Sequence, residues 1–378
     1  MSRIALVVAS LVICGLWIGC GGNASSANNQ PTPTTPTTAG TPSTPTNPPP
    51  PAPGTSSPAT SYTVTDLGVP TGFQFSSAQA VNANGAAAGK VFNSAGDFQA
   101  AIFSGGSAKA LGTLGGGVSS ASGINDADEV VGLSINPNGD NRAFLYSGGA
   151  LKDLGTLGGR TSGAADINNA HQIVGASAIS GDAVNHAFLY SNGAFKDLGT
   201  LGGPNSAANG INEAGVVTGQ SDLPGCTSMS CQSHAFLWNG TMTDLGTLGG
   251  ATSIGYHVNA SSQVAGASEV TGLPNFHAFL YANGKMTDLG ALPGKDISSA
   301  ADINDAGLVV GTSSTFSTRG GDNVACAWAN GKVTDLNTLL PAGSGWTLNI
   351  AWAINNKGQI TGLGMHNGVQ HAFLLTPQ

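Results

Sequence analysis

The chain has 378 residues, of which only 8% are charged, and a formal net charge of −8. So sparse and acidic a surface excludes a binder of nucleic-acid phosphates and disfavours docking on anionic lipid, because both depend on clustered Lys and Arg. Abundant Gly, Ser, Thr and Asn predict instead a surface of uncharged polar groups.

The N-terminus carries Arg3, an apolar run from Ile4 to Ile18, then Gly19-Cys20-Gly21-Gly22. This reads as an export signal and is too short for a comfortable membrane span. Leu16-Trp17-Ile18-Gly19-Cys20 resembles a bacterial lipobox, with Trp17 where a branched aliphatic is usual; it implies cleavage and lipidation at Cys20. Residues 1–20 are therefore read as a lipoprotein-type signal peptide. Residues 21–61 are dominated by Pro, Thr and Ser, cannot bury enough apolar surface to fold, and are read as a disordered tether. The predicted location is the outer membrane or cell surface, or otherwise the medium, with membrane contact only through the lipid.

From Tyr62 onward the chain repeats. A strand-like run ends in Val-Asn or Ile-Asn at Asn82, Asn125, Asn168, Asn212, Asn259, Asn304 and Asn355, in steps of 43, 43, 44, 47, 45 and 51 residues. That period fits one four-stranded blade, so residues 62–378 are predicted to form an all-β, seven-bladed β-propeller of antiparallel sheets. Tyr62-Thr-Val-Thr-Asp-Leu-Gly68 matches the closing strand of later repeats, such as Met242-Thr-Asp-Leu-Gly246. The last repeat stops one strand short at His371-Ala-Phe-Leu-Leu375, so the N-terminal strand is expected to complete it and close the ring.

Within each repeat the turn chemistry marks two tight hairpins. The first follows the Asn, with Gly85, Gly215, Gly307 and Gly358 at its last place and Asp128, His171 and Ser262 as substitutes; the second carries Asn-Gly, as at Asn192-Gly193. The two longer connections, between the second and third strands and between repeats, must share the opposite face. The former vary most, and seven variable loops on one face of a rigid ring make a binding platform. Their rim would include Asp140, Arg142, Asp182, Asp222, Glu269, Arg319 and Asp322.

The recurring His186-Ala-Phe-Leu-Tyr190, His234-Ala-Phe-Leu-Trp238 and His277-Ala-Phe-Leu-Tyr281, set among Asp-Leu-Gly-Thr-Leu-Gly-Gly runs, resemble the bacterial extracellular HAF repeat family across nearly all of residues 62–378. The resemblance implies an exported, repetitive, propeller-like protein and no established catalytic activity. Gln99, Arg142 and Val324 replace the histidine in three repeats, and Ala110 replaces one aspartate. Copies spread around a ring cannot converge on one ion, so the histidines are read as structural, hydrogen-bonded toward the neighbouring Asp-Leu-Gly strand.

Function should reside where the repeat breaks. The position before Ile-Asn or Val-Asn reads Ala80, Gly123, Asp166, Gly210, His257, Asp302 and Ala353 around the ring. If this strand is innermost, His257 and Asp302 come from adjacent blades and face the central channel as a pair able to bind a cation or polarise a water; Asp166, His257 and Asp302, with Arg142, Arg319 and Asp322 in the loops, are the candidate ligand-binding residues. Trp346 and Trp352 could stack on a sugar or fill the core and are read as core, Cys326 as a small buried residue in a Phe slot, and Cys226 with Cys231 as a local disulfide. No catalytic residue set, metal site or cofactor is assigned. The leading expectation is a tethered protein recognising a glycan or a protein through its loops. The alternatives are a polysaccharide lyase or hydrolase at the channel mouth and a self-associating structural surface protein.

Overall fold

A computed structural model describes residues 57–226, 231–272, 275–318 and 321–378. The export signal, Cys20, nearly all of the tether and Arg319 lie outside the described residues. The remainder forms seven four-stranded antiparallel sheets arranged as a seven-bladed β-propeller, blades 1 to 7 in chain order. Among the described residues the only helical segments are two short 3-10 turns, Phe316–Thr318 and Leu336–Leu339.

The first strand of each blade is innermost: Phe75–Val81, Ser119–Ile124, Gly158–Ile167, Ser206–Ile211, Gly249–Val258, Ile297–Ile303 and Trp346–Ile354. The outermost strand of blade 7 is Tyr62–Asp66, antiparallel to Val369–Pro377, with Tyr62 opposite Pro377 and Asp66 opposite Phe373. Tyr62 is fully buried in the core shared by blades 6 and 7, beside Leu308, Leu348 and Phe373. The other cores likewise lie between neighbouring sheets, which is how thin sheets with little internal volume reach full burial.

Every inner strand breaks register just before its Ile-Asn or Val-Asn, as between Ala164 and Asp166 or Ala300 and Asp302. This bulge sets two consecutive side chains toward the channel and pushes a carbonyl against the second strand. A Cβ on Gly89, Gly132, Gly175, Gly219, Gly266 or Gly311 would lie 2.0 Å from that carbonyl oxygen, and on Gly362 1.9 Å. The close approach explains why each repeat keeps glycine there. Opposite these glycines stand Phe144, Phe188, Phe236, Phe279, Phe373 and, in blade 6, Cys326, all fully buried. Burial keeps the Cys326 thiol protonated by raising its pKa well above 9.0.

The repeated Asn ties the ring together. Asn82 donates to the Asn125 carbonyl at 3.0 Å, Asn168 to Asn212 at 3.0 Å, Asn212 to Asn259 at 2.9 Å, Asn259 to Asn304 at 3.1 Å and Asn304 to Asn355 at 3.4 Å. A second tie links the third strand of one blade to the first strand of the next: the Ala187 N–H donates to Ser206 Oγ, which donates to the Gly199 carbonyl, and at the junction of blades 7 and 1 Ala372 donates to Ser76 Oγ at 2.9 Å. Blade 6 departs from Asp-Leu-Gly and uses Asn337, whose side chain brackets Leu348 through its N–H and carbonyl.

Candidate functional site

The first strands enclose a central channel with a cavity of about 480 Å³. The bulges line it with residue pairs, so that Gln79, Ser122, Asn209, Tyr256 and Trp352 face the lumen together with the position before Ile-Asn or Val-Asn. Trp352 therefore belongs to the channel wall and departs from its expected core role, because the bulge turns a side chain that strict alternation would bury. Trp346 does pack against the core, stacked on His366 with ring centroids 4.6 Å apart.

Asp166, His257 and Asp302 come together across blades 3 to 6. His257 Nδ1 lies 2.7 Å from Asp302 Oδ1, and His257 Nε2 lies 3.5 Å from Asp166 Oδ2. Reaching Asp166 means crossing blade 4, where Gly210 removes the obstacle: a Cβ there would stand 2.9 Å from His257 Cα and 3.2 Å from its ring. Both carboxylates are anchored by backbone. Asp166 accepts from Ile167 and from Ile211 of blade 4, and Asp302 accepts from Ile303 and from Ile354 of blade 7.

The side chains are 33% exposed for His257, 17% for Asp166 and 9% for Asp302, so the group lies deep in the ring yet opens on the lumen. The Nδ1 contact is close but bent, and the nitrogen has no in-line hydrogen-bond acceptor among the described residues. Burial lowers the imidazole pKa, but the charge of Asp302 and the hydrogen bonding of Asp166 outweigh it and lift His257 well above 6.5. The site is thus an imidazolium held between two anions, with net negative charge.

Sequence reasoning missed the ring at the hairpin-side mouth, formed by the residues that follow each repeated Asn. Asp126, Asn169 and Glu213 are linked side chain to side chain, with Asn169 Nδ2 donating to both acids at 2.9 Å, and Asn356 donates to Asp305 at 2.6 Å. Burial raises the Glu213 carboxyl pKa, and the like charges of Asp126, Asp166 and Asp305 push the same way. The signal was present as the column Ala83, Asp126, Asn169, Glu213, Ala260, Asp305 and Asn356.

The loop residues do not join the channel site. Arg142 takes the place of the motif histidine and reaches Asp153 at 3.0 Å and the Arg160 carbonyl at 3.1 Å. The histidines it replaces do the same work, as His186 with Asp197 at 2.8 Å and His234 with Asp244 at 2.9 Å. Asp322 holds its own loop by accepting from Thr315 and Thr318 and pairing with Lys295 at 2.5 Å; the ammonium keeps its carboxyl well below the usual range. Asp140 pairs with Arg160 at 2.6 Å, Asp182 accepts from the Arg160 N–H, and Glu269 accepts from Ala251 at 2.9 Å. These contacts put the variable loops and the inter-blade links on one face, with the acids bracing that layer. Cys226 and Cys231 form the expected disulfide.

No known family model matches the chain, and no curated protein sequence matches it. Among solved structures it is similar to TolB from Acinetobacter baumannii, at 12% identity and a TM-score of 0.45, covering 82% of this chain and 65% of that one. It is also similar to a puromycin-hydrolyzing peptidase of Mycobacterium tuberculosis, at 10% identity and a TM-score of 0.53, covering 80% of this chain and 50% of that one. The chain spans less than two thirds of the length of either neighbour, and at such identity the likeness is one of fold alone.

Proposed function

We propose that the chain is an exported binding module of the HAF repeat type, tethered through Cys20, that takes a neutral glycan at its central channel with the loop layer as a rim. The observation that carries this reading is the convergence of the repeat's deviant residues, Asp166, His257 and Asp302, on a lumen that also presents Asn209, Tyr256 and Trp352. Carboxylates accept sugar hydroxyls, amides both donate and accept, and aromatic faces pack on the apolar face of a pyranose ring. Five carboxylates, Asp126, Asp166, Glu213, Asp302 and Asp305, against one imidazolium set the lumen against anionic polymers.

The same charge counts against a lyase acting on acidic polysaccharides. A histidine held as imidazolium between two anions is also a poor general base at neutral pH. Binding through the loops alone finds less support, since the acids there are engaged in bracing. The test is an array of neutral and uronic oligosaccharides probed with the chain and with the double variant Asp166→Asn/Asp302→Asn. Neutral glycans should bind, with about tenfold weaker affinity in the variant. Equal binding by both proteins, preference for uronates, or capture of proteins only would each overturn the channel reading.

A further inference from the structure

Blade 7 carries one more histidine than its siblings at the outer edge. In blades 3, 4 and 5 one imidazole meets one carboxylate, as His277 meets Asp288 at 2.9 Å. In blade 7 His371 and His366 both reach Asp66, each with Nδ1 2.7 Å from the same Oδ2 atom. By register, the other blades place Asn93, Asn136, Ile179, Leu223, Val270 and Thr315 where blade 7 has His366. The second histidine therefore has no duty in the repeat.

We infer that Asp66, His366 and His371 form a binding site for a divalent transition metal of the zinc class, in which the ion clasps the N-terminal strand to the last blade. The donor set is two imidazole nitrogens and a carboxylate oxygen, all within 4.8 Å of one another. Around zinc, with ligands at about 2.0–2.2 Å, such donors stand roughly 3.3 Å apart, so each imidazole nitrogen draws back from Asp66 Oδ2 by about 0.6 Å to admit the ion. The Trp346 ring lies parallel to His366, at 4° between planes, and fixes its orientation. Side-chain exposures of 29% for His366, 27% for Asp66 and 20% for His371 give an ion access and leave a coordination position for water.

Asp66 stands 300 residues from His366 and 305 from His371. A metal held there ties together strands about 300 residues apart, and metal binding is then folding free energy for the seam. The remaining His-Asp pairs, with two donors each, serve as internal controls.

The test uses untagged, oxidised full chain stripped with EDTA, so that neither a purification tag nor reduced Cys226 and Cys231 can supply ligands. Titration with cobalt(II) is read by visible d–d absorption, and zinc by the melting temperature. The expected result is one ion per chain, a tetrahedral or five-coordinate cobalt spectrum, and a Tm rise of roughly 4 °C at a hundredfold excess over Kd. His366→Asn, which restores the side chain of blades 1 and 2, should abolish both signals while keeping the His371–Asp66 pair and the fold; His277→Asn should leave both intact. Absence of stoichiometric binding by the wild-type chain, or binding retained in His366→Asn, overturns the inference. Because the wild-type titration is decisive alone, poor folding of a variant does not rescue the idea.

Discussion

The side chain of Asn355 donates to the backbone carbonyl of Asn82 at 2.8 Å, joining the last inner strand to the first. The same bond links five of the other inner-strand junctions, Asn125 alone turning its amide to Glu129, and the Asn355 Oδ1 also accepts from Lys357 and Gln359 to hold the turn. The repeated Asn is thus at once a turn residue and the tie between blades.

Asn355→Ala should therefore lower stability by about 2 kcal/mol, the sum of the bonds lost to Asn82, Lys357 and Gln359, seen as a Tm roughly 3 °C lower. Asn355→Asp keeps the acceptor but sets a buried carboxylate oxygen against the Asn82 carbonyl and Gln359 Oε1, so it should cost at least as much as alanine. A thermal melt indistinguishable from wild type for Asn355→Ala would show that the tie is not part of the ring's stability.

Deletion of Tyr62–Gly68 should remove the outer strand of blade 7, expose Phe373 and Leu375, and leave the Val369–Pro377 edge unpaired. We expect a loss of more than about 4 kcal/mol, with dimerisation or aggregation through the bare edge. A truncated chain that melts like wild type and stays monomeric would argue against the pairing as the ring's closure.

Gly311→Ala should be far more damaging than an ordinary surface change, because the added methyl meets the Ser299 carbonyl at 2.0 Å, and backbone must move. Its partner on the next strand is Cys326, so no aromatic ring shares the blame. A destabilisation above about 3 kcal/mol is expected, against less than about 0.5 kcal/mol for Gly117→Ala, which has open space. Denaturant midpoints compare the two directly.

His257 gives a pH signature of known sign. Its folded pKa is raised, so the imidazolium's stabilising contribution is complete below the unfolded value near 6.5 and is lost as pH rises through the higher folded value. The Tm advantage of the wild type over His257→Gln should be largest in mildly acidic buffer and shrink on the alkaline side. An advantage that grows with pH would mean the histidine is neutral in the fold. The histidine resonance in NMR titration gives the folded pKa independently.

The blade period, the two hairpins, the disulfide and the burial of Cys326 were legible because each depends on local chemistry: Asn and Gly at turns, alternation along strands, two cysteines close in sequence. The pairing of the motif histidine with its neighbouring aspartate was legible for the same reason, since adjacent strands of one sheet bring them together. Asp166, His257 and Asp302 could be singled out as departures from the repeat, and His257 with Asp302 as a channel-facing pair from adjacent blades, but not the reach of His257 to Asp166. That needed the bulge to turn them inward and Gly210 to clear the way across blade 4.

What the sequence by itself determined is therefore the unit: four short strands, their turns and the residues each blade reuses. What only the tertiary structure decided is everything that depends on the curvature of the ring, because periodicity fixes which side of a strand a residue occupies but not which side chains from distant blades converge. Trp352 became a channel residue through a one-residue shift in register, and His366 joined the Asp66–His371 pair that the expected ring closure already implied.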